Sequence, residues 1–261
     1  PGIVKRCEVQ TDAPPPLPPP SQEQAIYVSP SGNDTHDGTT RATPLQTLRA
    51  AWQKVPAAPT RPVRVALLPG TYAFPAGSNS FFDKTGSASA PITLAAADGP
   101  NTAVIAGGAS FGRLKHFAIE DLEFRVRINE PYQSNNVVQV QASDQIALRR
   151  VRMVGPDFEN PGNYVIQEVL KVNQTTNFSV VDSEITGSYQ TALDFVAVHG
   201  AQVLRNRLHS AGEWCGYVKG GSANIRVEGN EMYGCGVGGF AVGEGSDHQF
   251  HVPPYVTYET Y

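Results

Sequence analysis

Side chains suited to acid–base chemistry flank valines that recur in the second half of the chain. Lys171 precedes Val172, while Tyr217 and Lys219 lie on either side of Val218. A lysine with a lowered pKa accepts a proton and a tyrosine donates one. If the valines point inward on neighbouring strands, their flanking residues share one outward surface. The spacing therefore predicts a surface where proton transfer can occur.

The full pattern predicts two outward columns on strands about 4.8 Å apart. One column holds Gln139, Lys171, Ala197, Tyr217 and Ala241, and the other holds Gln141, Asn173, His199, Lys219 and Gly243. From this set we expect Lys219, Lys171, His199 and Tyr217 to be catalytic and Gln139, Gln141 and Asn173 to bind substrate hydroxyl groups. The alternative is that these positions are simply solvated.

Two carboxylates precede this pattern. Glu168 and Asp194 each lie four residues before a recurring valine, taken as Val172 and Val198, which predicts that they lie on adjacent strands. Two such close carboxylates repel each other unless a cation lies between them. Lys171, an arginine or Ca²⁺ fits that role, and a side chain is the favoured partner.

An aromatic and charged segment precedes the strand that contains Val218. It brings together His209, Glu213 and Trp214, of which Glu213 and Trp214 are substrate-binding candidates beside the proposed surface. An aromatic ring can stack on a sugar, but Trp214 can equally pack on the neighbouring coil as a loop anchor.

These residues lie on a repeat that determines the architecture. Five units begin at Phe117, Ile146, Phe178, Ala201 and Ile225. Their apolar residues alternate, which indicates strands, and such a period indicates a solenoid. A parallel β-helix is favoured, with a multi-bladed propeller as the weaker alternative. Asn206 and Asn230 occupy one position of successive units and are expected to form a stacked ladder.

The repeats resemble right-handed parallel β-helix proteins of the pectin-lyase-like superfamily, and residues 27–51 resemble the entry segment of many secreted members. The matching residues are Gly32, Asn33, Asp34, Asp37, Gly38, Pro44, Thr47, Leu48, Gly70, Thr71 and Tyr72. The resemblance implies an all-β right-handed parallel β-helix that is secreted or displayed at the cell surface. The RxPxxR, GHG and RIK signatures of particular families are absent, as is the DPHE-like signature of alginate epimerases.

Related families cleave uronic-acid polysaccharides by β-elimination, commonly with a lysine or arginine base and often with Ca²⁺. The resemblance thus implies a polysaccharide lyase that acts on an acidic polysaccharide, with Lys219 as the leading base and Glu168 with Asp194 as a tentative calcium site. The alternatives are a non-catalytic glycan-binding or adhesin module and a uronate C5-epimerase. Glycoside hydrolysis fits less well, because Glu168 and Asp194 are expected on one side of the substrate.

Composition agrees with a loop-rich β protein. The 261 residues are 40% hydrophobic and include 25 Gly and 21 Pro. A net charge of −4 without basic runs argues against nucleic-acid binding. No apolar run approaches the roughly 20 residues that cross a bilayer. We expect a monomer.

The chain divides into a proline-rich linker at 1–24 and a β-helix domain at 25–261, which is expected to be incomplete at its C-terminal end. An amphipathic helix is expected from Leu45 to Val55, with Thr43 as its N-cap, closing the first coil. Trp52 is expected to pack in the core rather than to bind sugar. A disulfide between Cys215 and Cys235 is possible in this arrangement but not required.

Overall fold

The chain coils into a parallel β-helix in which successive strands belong to three sheets. A computed structural model describes residues 23–74, 79–126, 136–156 and 166–243. The predicted proline-rich linker at 1–24 therefore lies almost entirely outside the described residues, as does the part of the predicted β-helix domain after Gly243. Strands of successive coils pair in parallel, as the alternating repeat predicts.

Each sheet takes one strand from almost every coil. Sheet 1 contains β4 (Ser80–Thr85), the first part of β7 (Ala109–Glu120), β9 (Asn136–Gln141), β12 (Glu168–Asn173), β15 (Thr191–Val196), β18 (Trp214–Lys219) and β21 (Gly238–Val242). Sheet 2 contains β1 (Gln24–Val28), β2 (Val63–Leu67), β5 (Ile92–Ala96), the second part of β7, β10 (Asp144–Arg149), β13 (Thr176–Val181), β16 (His199–Leu204) and β19 (Ala223–Glu228). Sheet 3 contains β3 (Gly70–Ala73), β6 (Ala103–Ala106), β8 (Glu123–Arg125), β11 (Arg152–Val154), β14 (Glu184–Ser188), β17 (Arg207–Ala211) and β20 (Glu231–Cys235).

The predicted repeat is confirmed in sheet 2 and extends further than expected. Ile146 lies opposite Phe117 on one side and Phe178 on the other, and all three side chains are buried. Each repeat unit then turns a corner and continues into sheet 3, where Met153 lies opposite Ile185. The alternating pattern therefore spans two sheets per unit, and together with sheet 1 it gives three sheets.

The predicted asparagine ladder is confirmed at the corner between sheets 2 and 3. The side-chain Oδ1 of Asn230 accepts hydrogen bonds from the backbone N–H of Asn206, at 2.8 Å, and from its Nδ2, at 3.0 Å. Asn206 Oδ1 in turn accepts from the N–H of Ser183 at 2.9 Å. Each amide thus satisfies a buried backbone group of the preceding coil.

The predicted helix is present, but it begins later than expected. α1 (Leu48–Lys54) starts after Thr47, whose hydroxyl accepts a hydrogen bond from the Ala50 N–H at 3.1 Å. The expected N-cap, Thr43, does not cap it, because Leu45 is extended and forms a bridge with Val28 of β1.

α1 packs against the first coils. Its Leu48 and Ala51 are buried, and the rings of Trp52 and Phe81 lie 5.6 Å apart at a steep angle. The Trp52 Nε1–H donates to the Phe82 carbonyl of β4 at 3.2 Å. Trp52 is therefore a core residue, as predicted, and these contacts cover the side of β4 that faces away from β7.

Cys215 of β18 and Cys235 of β20 form a disulfide, with their Cα atoms 5.6 Å apart. It links sheet 1 to sheet 3 in neighbouring coils, so the pairing that the sequence allowed but did not require is formed. Within the described ranges, no helix has the length and apolar character needed to cross a membrane.

Candidate functional site

The register of sheet 1 decides which side chains meet on its outward face, and the predicted register is wrong in one coil. Val172 lies opposite Val140, as expected, but its other neighbour is Phe195 rather than Val198. Phe195 in turn lies opposite Val218. Val198 is also buried, but it follows the end of β15 at the corner with sheet 2. Both residues are apolar, so the period-two pattern alone could not distinguish them.

This shift exchanges two members of the predicted surface. The first outward column contains Asp194 in place of Ala197, between Lys171 and Tyr217. The second column contains Val196 in place of His199, between Asn173 and Lys219. A three-residue shift in a strand moves a residue to the opposite face, because side chains alternate with a period of two.

Lys171, Asp194 and Lys219 lie on the outward face of sheet 1, and Glu168, at the start of β12, contacts Lys171; we call these four residues the lysine–carboxylate cluster. The Lys171 Nζ donates to Glu168 Oε1 at 3.2 Å and forms a second, very short ion pair with Asp194 Oδ2. The Lys219 Nζ lies 3.6 Å from the same Asp194 oxygen. Asp194 is therefore shared by two lysines from the strands on either side of β15.

The cluster is unusually buried for an outward face. Asp194 is only 1% exposed and Lys171 is 15% exposed, whereas Lys219 is 22% exposed. Asp194 Oδ1 is buried and has no hydrogen-bond partner within the described structure, and the same holds for Asn173 Oδ1. Charged groups removed from water in this way interact strongly, which is typical of functional sites but also of structural networks.

Burial and ion pairing set the protonation of the cluster. Burial raises the pKa of Glu168, and the nearby Asp194 charge adds to this, although Lys171 opposes it. Burial alone would lower the pKa of Lys171, but the charges of Asp194 and Glu168 outweigh burial and raise it. Lys171 is therefore an ammonium group at neutral pH and cannot act as a base there.

Lys219 lies beside Tyr217, as predicted. Its Nζ is 4.3 Å from the centroid of the Tyr217 ring, close enough for a cation–π contact. Tyr217 is mostly buried and occupies the column of Asp194, on the next strand. Of the two lysines in the cluster, Lys219 is the more exposed and has the looser ion pair, so it is the one available to a bound molecule.

Glu168 and Asp194 do not stack in one column, which corrects the predicted arrangement. Glu168 lies opposite Asn136 and Thr191 instead. Both carboxylates instead contact Lys171, which is the side-chain pairing that the sequence favoured over a metal.

The donor set around Glu168 and Asp194 does not fit Ca²⁺ in this arrangement. The Lys171 ammonium already occupies the position between the carboxylates, and a calcium site needs oxygen ligands there. Among the described residues, no group of three or more His, Cys, Asp and Glu side chains could hold a metal ion. Calcium binding at Glu168 and Asp194 thus stays a prediction that requires Lys171 to move.

His199 does not join the cluster, which corrects its assignment to the catalytic surface. It begins β16 in sheet 2, where it pairs with Thr176 and Ala223. Its Nε2 lies 3.2 Å from the Gly221 carbonyl, and burial lowers its pKa despite that hydrogen bond. The lowered pKa favours a neutral imidazole held at the corner.

The predicted substrate-binding residues are distributed around the cluster. Gln139 lies opposite Lys171 and Gln141 lies opposite Asn173, so these three keep their predicted register. Trp214 begins β18 opposite Gly238, and its ring would come within 2.6 Å of a Cβ atom at Gly238. Trp214 thus packs on the neighbouring coil, which is the alternative that the sequence left open.

Glu213 and His209 occupy different places from those expected. Glu213 is exposed in the turn before β18. His209 lies on β17 in sheet 3, away from the outward face of sheet 1, and contacts Glu184. Glu184 was not predicted as a functional residue from the sequence. It lies between Arg152 and Arg207 in one column of sheet 3, and this alternation of charges can be recognised only once the register of sheet 3 is known.

Comparison with known proteins identifies the fold. No protein-family model matches the chain, and no curated protein is significantly similar to it. Among solved structures, the chain resembles a rhamnogalacturonan lyase (15% identity, TM-score 0.53) and pectate lyase Pel9A (17% identity, TM-score 0.56). The alignments cover 84% and 85% of this chain but 62% of each of those proteins.

The fold is therefore that of the right-handed parallel β-helix proteins, as the sequence resemblance implied. At these identities the likeness establishes architecture alone. The chain spans less than two thirds of the length of either neighbour, so the activity must be argued from its own residues.

Proposed function

We propose that this β-helix binds an acidic polysaccharide along the outward face of sheet 1 and cleaves it by β-elimination, with Lys219 as the base. The observation that carries the proposal is the sharing of Asp194 by two lysines of different character. Lys171 is buried and firmly protonated, whereas Lys219 is more exposed and 3.6 Å from the carboxylate. Lys171 is thus suited to attract a substrate carboxylate, and Lys219 is suited to contact the substrate.

In the proposed reaction, Lys219 in its neutral form removes the C5 proton of a uronate. The C5–H electrons form the C4=C5 double bond, and the C4–O bond breaks. Tyr217, the adjacent hydroxyl, is the proposed donor of a proton to the departing oxygen. The two named structural neighbours are both lyases, which supports this class.

Other residues of the face complete the proposal. Gln139, Gln141 and Asn173 are proposed to hold sugar hydroxyl groups, and the orphan Asn173 Oδ1 is an acceptor for one. The Cys215–Cys235 disulfide supports secretion or display at the cell surface, since disulfides persist in oxidising compartments. Monomeric action is part of the same proposal.

One observation favours a second candidate, a non-catalytic glycan-binding module. The Lys219 Nζ lies 3.6 Å from Asp194 Oδ2, and an ammonium group in such an ion pair binds a carboxylate but cannot accept a proton. In that case the cluster would hold extended acidic chains without cleaving them.

Ultraviolet absorbance of the unsaturated product separates these functions. The protein is incubated with pectate, alginate and a glycosaminoglycan, each with and without Ca²⁺, and binding is measured in parallel. A lyase gives an absorbance increase that Lys219→Ala abolishes, while Lys115→Ala, at an exposed lysine paired with Asp144, leaves it unchanged. Binding without product on any substrate would contradict the lyase and support the binding module. A C5-epimerase would change uronate configuration without absorbance.

A further inference from the structure

A second constellation lies on sheet 3, apart from the lysine–carboxylate cluster on sheet 1. We propose that Ser210, His209 and Glu184 form an acyl-transfer site, in which the Ser210 hydroxyl is a nucleophile that hydrolyses small acyl esters. This site shares no residue with the proposed polysaccharide face. Its success or failure is therefore independent of the lyase proposal.

The three groups are connected by hydrogen-bond distances. The Nε2 of His209 lies 3.1 Å from Glu184 Oε1, and its Nδ1 lies 3.0 Å from Ser210 Oγ. In the tautomer with the proton on Nε2, the imidazole donates to Glu184 and accepts at Nδ1 from the Ser210 hydroxyl. A hydroxyl, an imidazole and a carboxylate linked in this order are the parts of an activated nucleophile.

The His209 imidazole is positioned by Tyr233 of the next coil and by Glu184 of the preceding coil. The Tyr233 ring stacks on the His209 ring, with centroids 4.6 Å apart and planes 5° from parallel. Arg152 Nε donates to the other oxygen of Glu184 at 2.5 Å. Burial alone would raise the pKa of Glu184, but hydrogen bonds from Arg152 and His209 outweigh it and lower the pKa. The carboxylate is thus ionised and can stabilise an imidazolium.

The backbone at Ser210 provides an independent observation. Ser210 has a φ of 54°, in the left-handed region that favours glycine. By the register of sheet 3, the residues across from it are Gly187, with φ 89°, and Gly234, with φ 63°. A serine therefore occupies, at a strained backbone position, a column where both neighbouring coils have glycine.

Solvent access distinguishes Ser210 from Thr186, the other hydroxyl within hydrogen-bond distance of His209 Nδ1. Thr186 Oγ1 also lies 3.1 Å from His209 Nδ1, but Thr186 is buried. A Cβ atom at Gly234 would lie 4.0 Å from Ser210 Oγ, so the glycine places no side chain against the hydroxyl from that coil. A neutral imidazole nitrogen accepts from one hydroxyl at a time, and the half-buried Ser210 is the one that a substrate can reach.

The reaction balances without a cofactor. Ser210 Oγ attacks the ester carbonyl carbon while its proton passes to His209 Nδ1. The bond from the carbonyl carbon to the alcohol oxygen breaks, and that oxygen takes the proton from Nδ1. Water then attacks the acyl-serine along the same proton path, which releases the carboxylic acid and restores Ser210.

The test uses the full chain with a fluorophosphonate probe, peptide mapping by mass spectrometry, and p-nitrophenyl acetate hydrolysis. We expect the label on Ser210 and a fall in ester hydrolysis of at least about 100-fold in Ser210→Gly and in His209→Gln. Ser210→Gly suits the left-handed backbone, so the variant should fold at least as well as the parent, as circular dichroism can check.

Ser179→Ala is the matched control, since Ser179 is a half-buried serine on sheet 2 whose nearest acceptor is a backbone carbonyl. It should keep full labelling and hydrolysis. A folded parent protein that takes no label, a label on Thr186 instead of Ser210, or equal hydrolysis by Ser210→Gly would each overturn the proposal.

Discussion

Replacing Lys171 by methionine removes the cation between two buried carboxylates. The change preserves most of the side-chain volume but leaves Asp194, which is 1% exposed, with only Lys219 at 3.6 Å. Removing one partner of a buried ion pair costs about 3–5 kcal/mol, because the other charge stays buried. Since Lys219 still offsets part of the Asp194 charge, we expect the lower end, about 3 kcal/mol.

Thermal and denaturant unfolding measure this loss. A change of about 3 kcal/mol corresponds to a fall in Tm of roughly 6–12 °C for a protein of this size. The double variant Lys171→Met with Asp194→Leu should recover part of the lost stability, because it removes the buried Asp194 charge, while the ion pair of Glu168 with Lys171 stays broken.

Lys115→Met is the matched control. Lys115 also pairs with a carboxylate, that of Asp144, but the two side chains are 49% and 30% exposed. Such a pair contributes about 0–1 kcal/mol. If Lys171→Met and Lys115→Met lost equal stability, the buried charge network on sheet 1 would be refuted.

Three further predictions concern other parts of the molecule. Cys235→Ser should lower the free energy of unfolding by about 3 kcal/mol, because the disulfide to Cys215 closes a loop over a separation of 20 residues; a reducing agent should lower the Tm of the parent but not of the variant. Asn206→Ala should cost about 1–3 kcal/mol in denaturant unfolding, since it leaves the Ser183 N–H unsatisfied; a smaller loss would mean that water replaces the amide. Glu168→Gln tests the raised pKa of Glu168. Because the folded state binds this proton more tightly than the unfolded state, the parent loses stability as Glu168 ionises. The loss occurs as the pH rises from the usual carboxyl pKa through the raised value. The stability of the parent relative to this variant should therefore fall over that pH range, and a constant difference would contradict the shift.

The architecture could be predicted from the sequence because stacking in a solenoid repeats the same constraint in every coil. The column of Phe117, Ile146 and Phe178 needed only the alternation of apolar residues. The ladder of Asn206 and Asn230 needed only the recurrence of one residue type at a bend. Such features depend on many coils at once, so an error in one coil does not change them.

The candidate site depended on a single coil, and there the sequence offered two solutions. Phe195 and Val198 are both apolar and both fully buried, one inside the strand and one at the corner. Choosing Val198 predicts His199 and Ala197 on the outward face, whereas Phe195 places Asp194 and Val196 there. Hydrophobic burial favours both residues equally, so the choice must come from the backbone of the corner.

The corner does carry such a signal. Ala142, Gln174 and Ala197 all have left-handed backbones, with φ between 49° and 54°, and each is the second residue after the inward residue of its strand. In two of these coils the next residue is Ser143 or Thr175, whose hydroxyl bonds to a carbonyl of the same turn. Val198 takes that place in the third coil and has no hydroxyl, which hides the corner from a reader of the sequence. Its backbone N–H donates to Ser222 Oγ of the next coil at 2.9 Å, just as the Leu114 N–H donates to Ser143 Oγ at 3.1 Å, so the corner keeps the same coil-to-coil contact. This corner sets the register that places Asp194 between the two lysines.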